Sequence, residues 1–123
     1  MKKVLVVEDD PLNVQVMTHF LRAHGYEILV ARTGTEGVEA FETHHPDLVI
    51  VDVQLPRKNG FEVCFEVKRT DAGRRTPVLL MSAVYTDKEH ARRYSTELHA
   101  DGYLVKPFAM HGLLRQVQTL IGN

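Results

Sequence analysis

Apolar runs in this chain end on polar residues that could share one piece of chemistry. One run ends in Glu8-Asp9-Asp10 and another in Asp52, while two more end in Ser82 and in Lys106-Pro107. Crowded carboxylates repel: two unit charges about 4 Å apart cost about 4 kcal/mol at an effective dielectric of 20. Such a group must protonate, pair with an ammonium or bind a cation. An oxygen-only donor set suits Mg2+, which keeps several waters and takes phosphate oxygens as further ligands. A carboxylate flanked by Mg2+ and a lysine is a nucleophile towards phosphorus, by way of an aspartyl-phosphate. Metal and the Lys106 ammonium would neutralise the oxygens of the transferring group. The Ser82 hydroxyl could then hydrogen-bond a phosphoryl oxygen.

These residues meet only if the runs carrying them are parallel strands of one sheet, because ligand sites of such sheets lie outside the carboxyl ends of the strands. The runs are Val4-Leu5-Val6-Val7, Ile28-Leu29-Val30, Leu48-Val49-Ile50-Val51, Val78-Leu79-Leu80-Met81 and Tyr103-Leu104-Val105. They are short, rich in branched residues and mostly not alternating, as strands covered on both faces must be. Helical stripes lie between them: Leu12, Val16 and Phe20, joined by Met17 and Leu21; Val38 and Phe41; Val63, Cys64 and Val67; and Leu113, Val117, Leu120 and Ile121. The stretch Asp87 to Leu98 is the most polar, with Ala91, Tyr94 and Leu98 on its inner face.

Local chemistry marks the boundaries. Asp10 caps the first helix and Pro11 takes its first turn. Gly25 suits that helix's C-terminal end, and Pro46 closes the second helical region. Thr86 with Glu89 makes a capping box for a fourth helix. Strand alternating with helix predicts a doubly wound, three-layer α/β domain with a five-stranded parallel sheet and five helices.

The totals narrow the function. A chain of 123 residues, 44% hydrophobic and 25% charged, reads as one globular domain over 1–123. The formal net charge of -1 argues against direct nucleic-acid binding, which needs a basic excess. The single cysteine, Cys64, excludes an internal disulfide and sits in an apolar stretch as a buried, inert thiol. No signal peptide and no membrane-spanning run is read, so the expected location is cytoplasmic. Among the seven histidines, His44-His45 lie on a solvated turn, and the others lack ligand spacing. Arg74-Arg75 and Arg92-Arg93 read as solvated charge pairs.

At the strand ends the chain resembles the receiver domains of bacterial two-component response regulators. The resemblance rests on Val6-Val7-Glu8-Asp9-Asp10, on Val51-Asp52 with Leu55-Pro56 and Gly60, on Met81-Ser82-Ala83, and on Gly102-Tyr103-Leu104-Val105-Lys106-Pro107-Phe108. It covers essentially the whole chain. It implies a flavodoxin-like strand order 2-1-3-4-5, with Asp52 as phosphoacceptor and Mg2+ held by Glu8, Asp9, Asp52 and the Gln54 backbone carbonyl. Lys106 is then the phosphate partner, Ser82 the switch hydroxyl and Tyr103 the switch aromatic. A cis bond before Pro107 would aim Lys106 inward.

The implied partners are a sensor histidine kinase or a histidine phosphotransfer protein, which supplies the phosphoryl group, and a downstream protein target. Output is expected through the face of the fourth helix, fifth strand and last helix, a face that could also form a phosphorylation-linked homodimer. The implied role is signalling; the only chemistry is the domain's own phosphorylation and dephosphorylation. Gln54 and the stiff, apolar Val84 would border the path of hydrolytic water; Gln54 could position that water through its amide, but exclusion by Val84 weighs slightly more and predicts a fairly long-lived phosphorylated state.

Two departures stand out. Ala109 occupies a place where the family often has a capping Asp, Ser or Thr, and Gly112 sits inside the last helix, so that helix should start loosely. The stretch between Ser82 and Gly102 is also longer than in compact chemotaxis-type members. Rival readings fail on residues. An aspartate-nucleophile phosphatase of the haloacid dehalogenase type wants a second Asp where Gln54 stands. A dinucleotide-binding oxidoreductase wants a glycine-rich turn where Glu8-Asp9-Asp10-Pro11 stands. A phosphate-independent module of receiver shape would not need the full set of strand-end residues. The domain is expected to stand alone; the alternative is a receiver from a longer regulator or a hybrid kinase.

Overall fold

The computed structural model describes residues 1–83 and 99–122. Its five strands are β1 (Lys3–Val7), β2 (Glu27–Ala31), β3 (Leu48–Asp52), β4 (Val78–Ser82) and β5 (Gly102–Val105). They form one parallel sheet in the order β2-β1-β3-β4-β5, the order expected. The helices are α1 (Pro11–Ala23), α2 (Gly34–His44), α3 (Gly60–Lys68), a single turn α4 (Asp71–Arg74) and α5 (Met110–Ile121). The expected helix over Asp87–Leu98, its Thr86–Glu89 box and Val84 all lie outside the described residues, so α4 here is not the fourth helix of the sequence reading; α5 is its last helix.

Alternation along the strands builds a core on each side of the sheet. Val4 and Val6 of β1, with Leu48 and Ile50 of β3, pack against Met17 and Leu21 of α1 and Leu113 and Val117 of α5. Leu5, Val7, Val49 and Val51 face Phe41 of α2 and Val63, Cys64 and Val67 of α3. Every residue of β3 is buried, which is why these strands read as continuous apolar runs. A fully buried Val, Leu or Ile side chain is worth roughly 1.5–3 kcal/mol, so the strands that carry the site are also the best anchored. Cys64 is inert as expected: burial, the main cause, pushes its thiol up to about 11.

One inner face was read in part. Of the stripe Leu12, Val16, Phe20, Met17 and Leu21, Met17 and Leu21 are buried and Phe20 packs partly buried against the core, but Leu12 is 65% exposed and Val16 45%. The buried side of α1 is Val14, Met17, Thr18 and Leu21. Both rows have helical spacing, and the sheet lies under the second.

The predicted boundaries that fall on described residues hold. Asp10 Oδ1 accepts from Leu12 N at 3.1 Å, with Pro11 opening the helix. Gly25 follows α1 with φ +91°, a conformation glycine adopts at no steric cost. Ala109 is the N-cap residue of α5 and makes no side-chain cap hydrogen bond, so the cap that an Asp, Ser or Thr would supply is missing.

Gly60 is the contact that seats α3 on the site. A Cβ there would meet the Asp52 carbonyl oxygen and lie 2.7 Å from Val53 Cα. Gly60→Ala is therefore expected to cost about 1–3 kcal/mol, read as a lower urea midpoint. An unchanged midpoint would show that α3 can shift freely.

Candidate active site

Register brings the two central carboxylates together. Val7 of β1 aligns with Val51 of β3, so the next residues, Glu8 and Asp52, leave the sheet side by side. On the other flank Ser82 aligns with Val105, and Lys106 is the following residue. The ladders run one step past the strands, with Glu8 N donating to Ala31 O at 3.0 Å and Lys106 N to Ser82 O at 2.9 Å. The Lys106–Pro107 bond is cis, as expected.

The Lys106 ammonium bridges both carboxylates, 2.8 Å from Glu8 Oε1 and 3.0 Å from Asp52 Oδ2. Glu8 is fully buried and Asp52 nearly so. Gln54 N donates to Asp52 Oδ1 at 3.0 Å. Asp9 stays exposed, yet Glu8, Asp9 and Asp52 each offer a ligand atom within 4.8 Å of the others. Ser82 is buried at the end of β4. Tyr103 aligns with Leu80, two residues before Ser82 on the neighbouring strand, and is half-buried. By strand alternation Ser82 and Tyr103 share the sheet face covered by α2 and α3, diagonal to one another.

The charges cannot all be accommodated without help. Burial, then the hydrogen bond and charge of Asp52, push Glu8 up from 4.5 to about 7, against the pull of Lys106 and Asn13. Burial also works against an ionised Asp52, but hydrogen bonds from Glu8, the Gln54 N–H and Lys106 outweigh it and hold Asp52 below its ordinary value. Burial lowers Lys106, and the two carboxylates more than reverse this. Without a metal, then, the pair takes up one proton as pH falls through about 7.

A stability consequence follows with a definite sign. Glu8 has a raised folded-state value, so its contribution is fully present below about pH 4.5 and is lost as pH rises through about 7. The loss is of the order of 2–3 kcal/mol. Asp52 is lowered and acts only in acid, so the window from pH 5.5 to 8 reports Glu8. In EDTA the urea midpoint should fall across that window, and Glu8→Gln should flatten the curve. A wild-type midpoint that rises instead would contradict this charge arrangement.

The donor set fits a hard divalent cation. Glu8 Oε2 is buried with no hydrogen-bond partner among the described residues, beside two further carboxylates. A buried acceptor left without a donor is costly, and a cation supplies what it lacks.

Sequence reasoning missed two polar side chains. Asn13 Nδ2 donates to Glu8 Oε1 at 3.0 Å; its place in the first turn after the acidic strand end was the available signal. The Gln54 side chain was read only as a neighbour of the water path, but its Oε1 accepts from Ala83 N at 3.2 Å and ties the loop after β3 to the end of β4. The histidine pair His44 and His45 is exposed at the C-terminal end of α2. An apolar groove of about 330 Å³ opens beside Lys106 and Asn13, lined also by Val16, Met17, Ala83 and Phe108.

Known proteins share this arrangement of chain. A sequence model of the response regulator receiver domain matches residues 4–118. The alkaline phosphatase synthesis transcriptional regulatory protein PhoP of Bacillus subtilis is 33% identical over 120 residues, covering 98% of this chain and 48% of PhoP. The chain thus spans about half the length of that relative. The polar-differentiation response regulator DivK of Brucella abortus is 32% identical over 124 residues, covering 99% of this chain and 98% of DivK. The receiver domain of the sensor histidine kinase PA1611 from Pseudomonas aeruginosa aligns with a TM-score of 0.87 and 30% identity, over 99% of this chain and 98% of that one. That domain holds a magnesium ion coordinated in its active site cleft.

Proposed function

This chain belongs to the response regulator receiver domain family of two-component signalling, and from that premise we propose that Asp52 is its phosphoacceptor. The observation that carries the proposal is the Lys106 ammonium held by both Glu8 and Asp52 beside a buried carboxylate oxygen without a hydrogen-bond partner among the described residues. In the family's setting the donor is a phosphohistidine on a sensor kinase or a histidine phosphotransfer protein. An oxygen of Asp52 attacks phosphorus, the bond from phosphorus to the donor nitrogen breaks, and an acyl phosphate forms. Water later attacks the same phosphorus and restores the carboxylate.

The chain's own residues have distinct tasks. Gln54 N–H and Lys106 hold the Asp52 carboxylate ionised and oriented, so it is ready as a nucleophile. Lys106 then follows the charge onto the phosphoryl oxygens. Glu8, Asp9, Asp52 and the Gln54 backbone carbonyl would hold Mg2+, as the PA1611 receiver holds magnesium in its cleft. When bound, the metal supplies positive charge to the transferring group. Ser82 hydrogen-bonds a phosphoryl oxygen after transfer, and Tyr103 takes up the space it vacates. That is a population shift between two packings, delivered to a downstream protein through β5 and α5. The fourth-helix part of that face falls at 84–98, outside the described residues. Among those described, no helix is long and apolar enough to cross a membrane.

Intact mass after incubation with acetyl phosphate tests the reading. One phosphoryl group should appear with Mg2+ and be absent with EDTA. Equal labelling in both would remove the metal from the account. Metal binding also requires Glu8 ionised, so Mg2+ should stabilise the fold more at pH 8 than at pH 5.5.

A further inference from the structure

Asn13 is half-buried in the first turn of α1, and phosphoryl transfer as described assigns it no task. Its Nδ2 donates to Glu8 Oε1 at 3.0 Å, and Lys106 Nζ donates to the same oxygen at 2.8 Å. Two donors from opposite flanks of the site thus load one oxygen of a fully buried carboxylate. The other, Oε2, has no hydrogen-bond partner among the described residues. The terminal torsion of a glutamate is broad, so a carboxylate held at one point could turn. Held at Oε1 by an amide on one side and an ammonium on the other, it cannot exchange its two oxygens cheaply.

We propose that Asn13 is a positioning residue for the cation site: by holding Glu8 Oε1 it leaves Glu8 Oε2 as the oxygen offered to Mg2+. The inference rests on the reading that Glu8, Asp9 and Asp52 hold the metal. The residue type fits the task. An amide donates without adding charge, whereas a second ammonium would repel the cation and a further carboxylate would crowd the trio. Hydrogen bonds that orient a ligating carboxylate typically account for about 10–100-fold in metal affinity.

The test is a Mg2+ titration of the full chain followed by backbone amide shifts, independent of phosphorylation. Asn13→Leu keeps the shape and removes the donor; Asn13→Ala removes it with less bulk, should the first fail to fold. Each is expected to weaken Mg2+ binding about tenfold, with Asn13→Gln recovering most of the loss and the exposed control Gln15→Ala unchanged. The urea midpoint in EDTA should stay near the wild-type value, which separates positioning from general destabilisation. Wild-type affinity in Asn13→Leu or Asn13→Ala, or a loss in Asn13→Gln as large as theirs, overturns the inference while leaving the metal reading intact. No binding by the wild type overturns both.

Discussion

Asp52→Asn is expected to abolish phosphoryl uptake and at the same time to make the metal-free fold more stable at alkaline pH. The amide keeps the shape of the side chain, and its one oxygen can still accept from Gln54 N while the NH2 in place of the other oxygen cannot accept from Lys106; the buried β3 should not move. It is not a nucleophile towards phosphorus, so no added mass should appear with acetyl phosphate and Mg2+. The stability change comes from Glu8, which is pushed to about 7 by burial and then by Asp52. With that charge removed, Glu8 ionises at lower pH and pairs with Lys106 alone. Between pH 5.5 and 8 the variant should recover part of the wild type's loss in EDTA, about 1 kcal/mol, because burial, the larger cause, still acts on Glu8. In acid the order reverses, because there the wild type keeps an Asp52–Lys106 pair that the variant lacks. A function lost while stability rises is the usual mark of a strained site. A variant that still gains phosphoryl mass, or a stability difference independent of pH, would contradict this.

Lys106→Met should act in opposite directions on two measurements. Methionine keeps much of the apolar stem and removes the ammonium. The phosphoryl group then loses a preorganised cation, and the phosphorylation rate should fall by about 10²–10³. Metal binding should improve, because the positive charge 2.8 Å from Glu8 and 3.0 Å from Asp52 no longer opposes it. About tenfold is expected, equivalent to about 1.4 kcal/mol. Rate by stopped-flow and affinity by titration check the pair. A variant that binds Mg2+ more weakly and reacts at the wild-type rate would show that Lys106 supports the fold and not the chemistry.

Much of this site was legible because a parallel sheet gathers its strand ends at one edge. Glu8, Asp52, Ser82 and Lys106 each follow an apolar run, and the run fixes where each lies along the sheet. Asn13 was legible only as a polar residue in the first turn after Glu8-Asp9-Asp10; its bond to Glu8 depends on the angle at which α1 leaves the strand. The Gln54 side chain was missed for a similar reason: its partner, Ala83 N, lies on another strand end. Helical periodicity found α1 and the buried Met17 and Leu21, but it took in the exposed Leu12 and Val16 and missed Val14, since both rows have helical spacing. The capping box of α3, Asn59 with Glu62, had a readable signature that the sequence reading passed over. The single turn Asp71–Arg74 is too short to show periodicity, and only its Thr70 cap announces it. The bond of Lys68 to Asp101 at 2.9 Å joins residues far apart in sequence, which no local pattern reveals.

The measurement closest to the central claim is the position of the phosphoryl group itself. Borohydride reduces an acyl phosphate to the alcohol, converting an aspartyl phosphate to homoserine at the residue that carried it. After Mg2+-dependent phosphorylation, reduction and peptide mapping, homoserine is expected at position 52 and at no other. Homoserine at Asp9 or Asp10, or a phosphoryl group that survives borohydride on a serine or histidine, would contradict the assignment of Asp52.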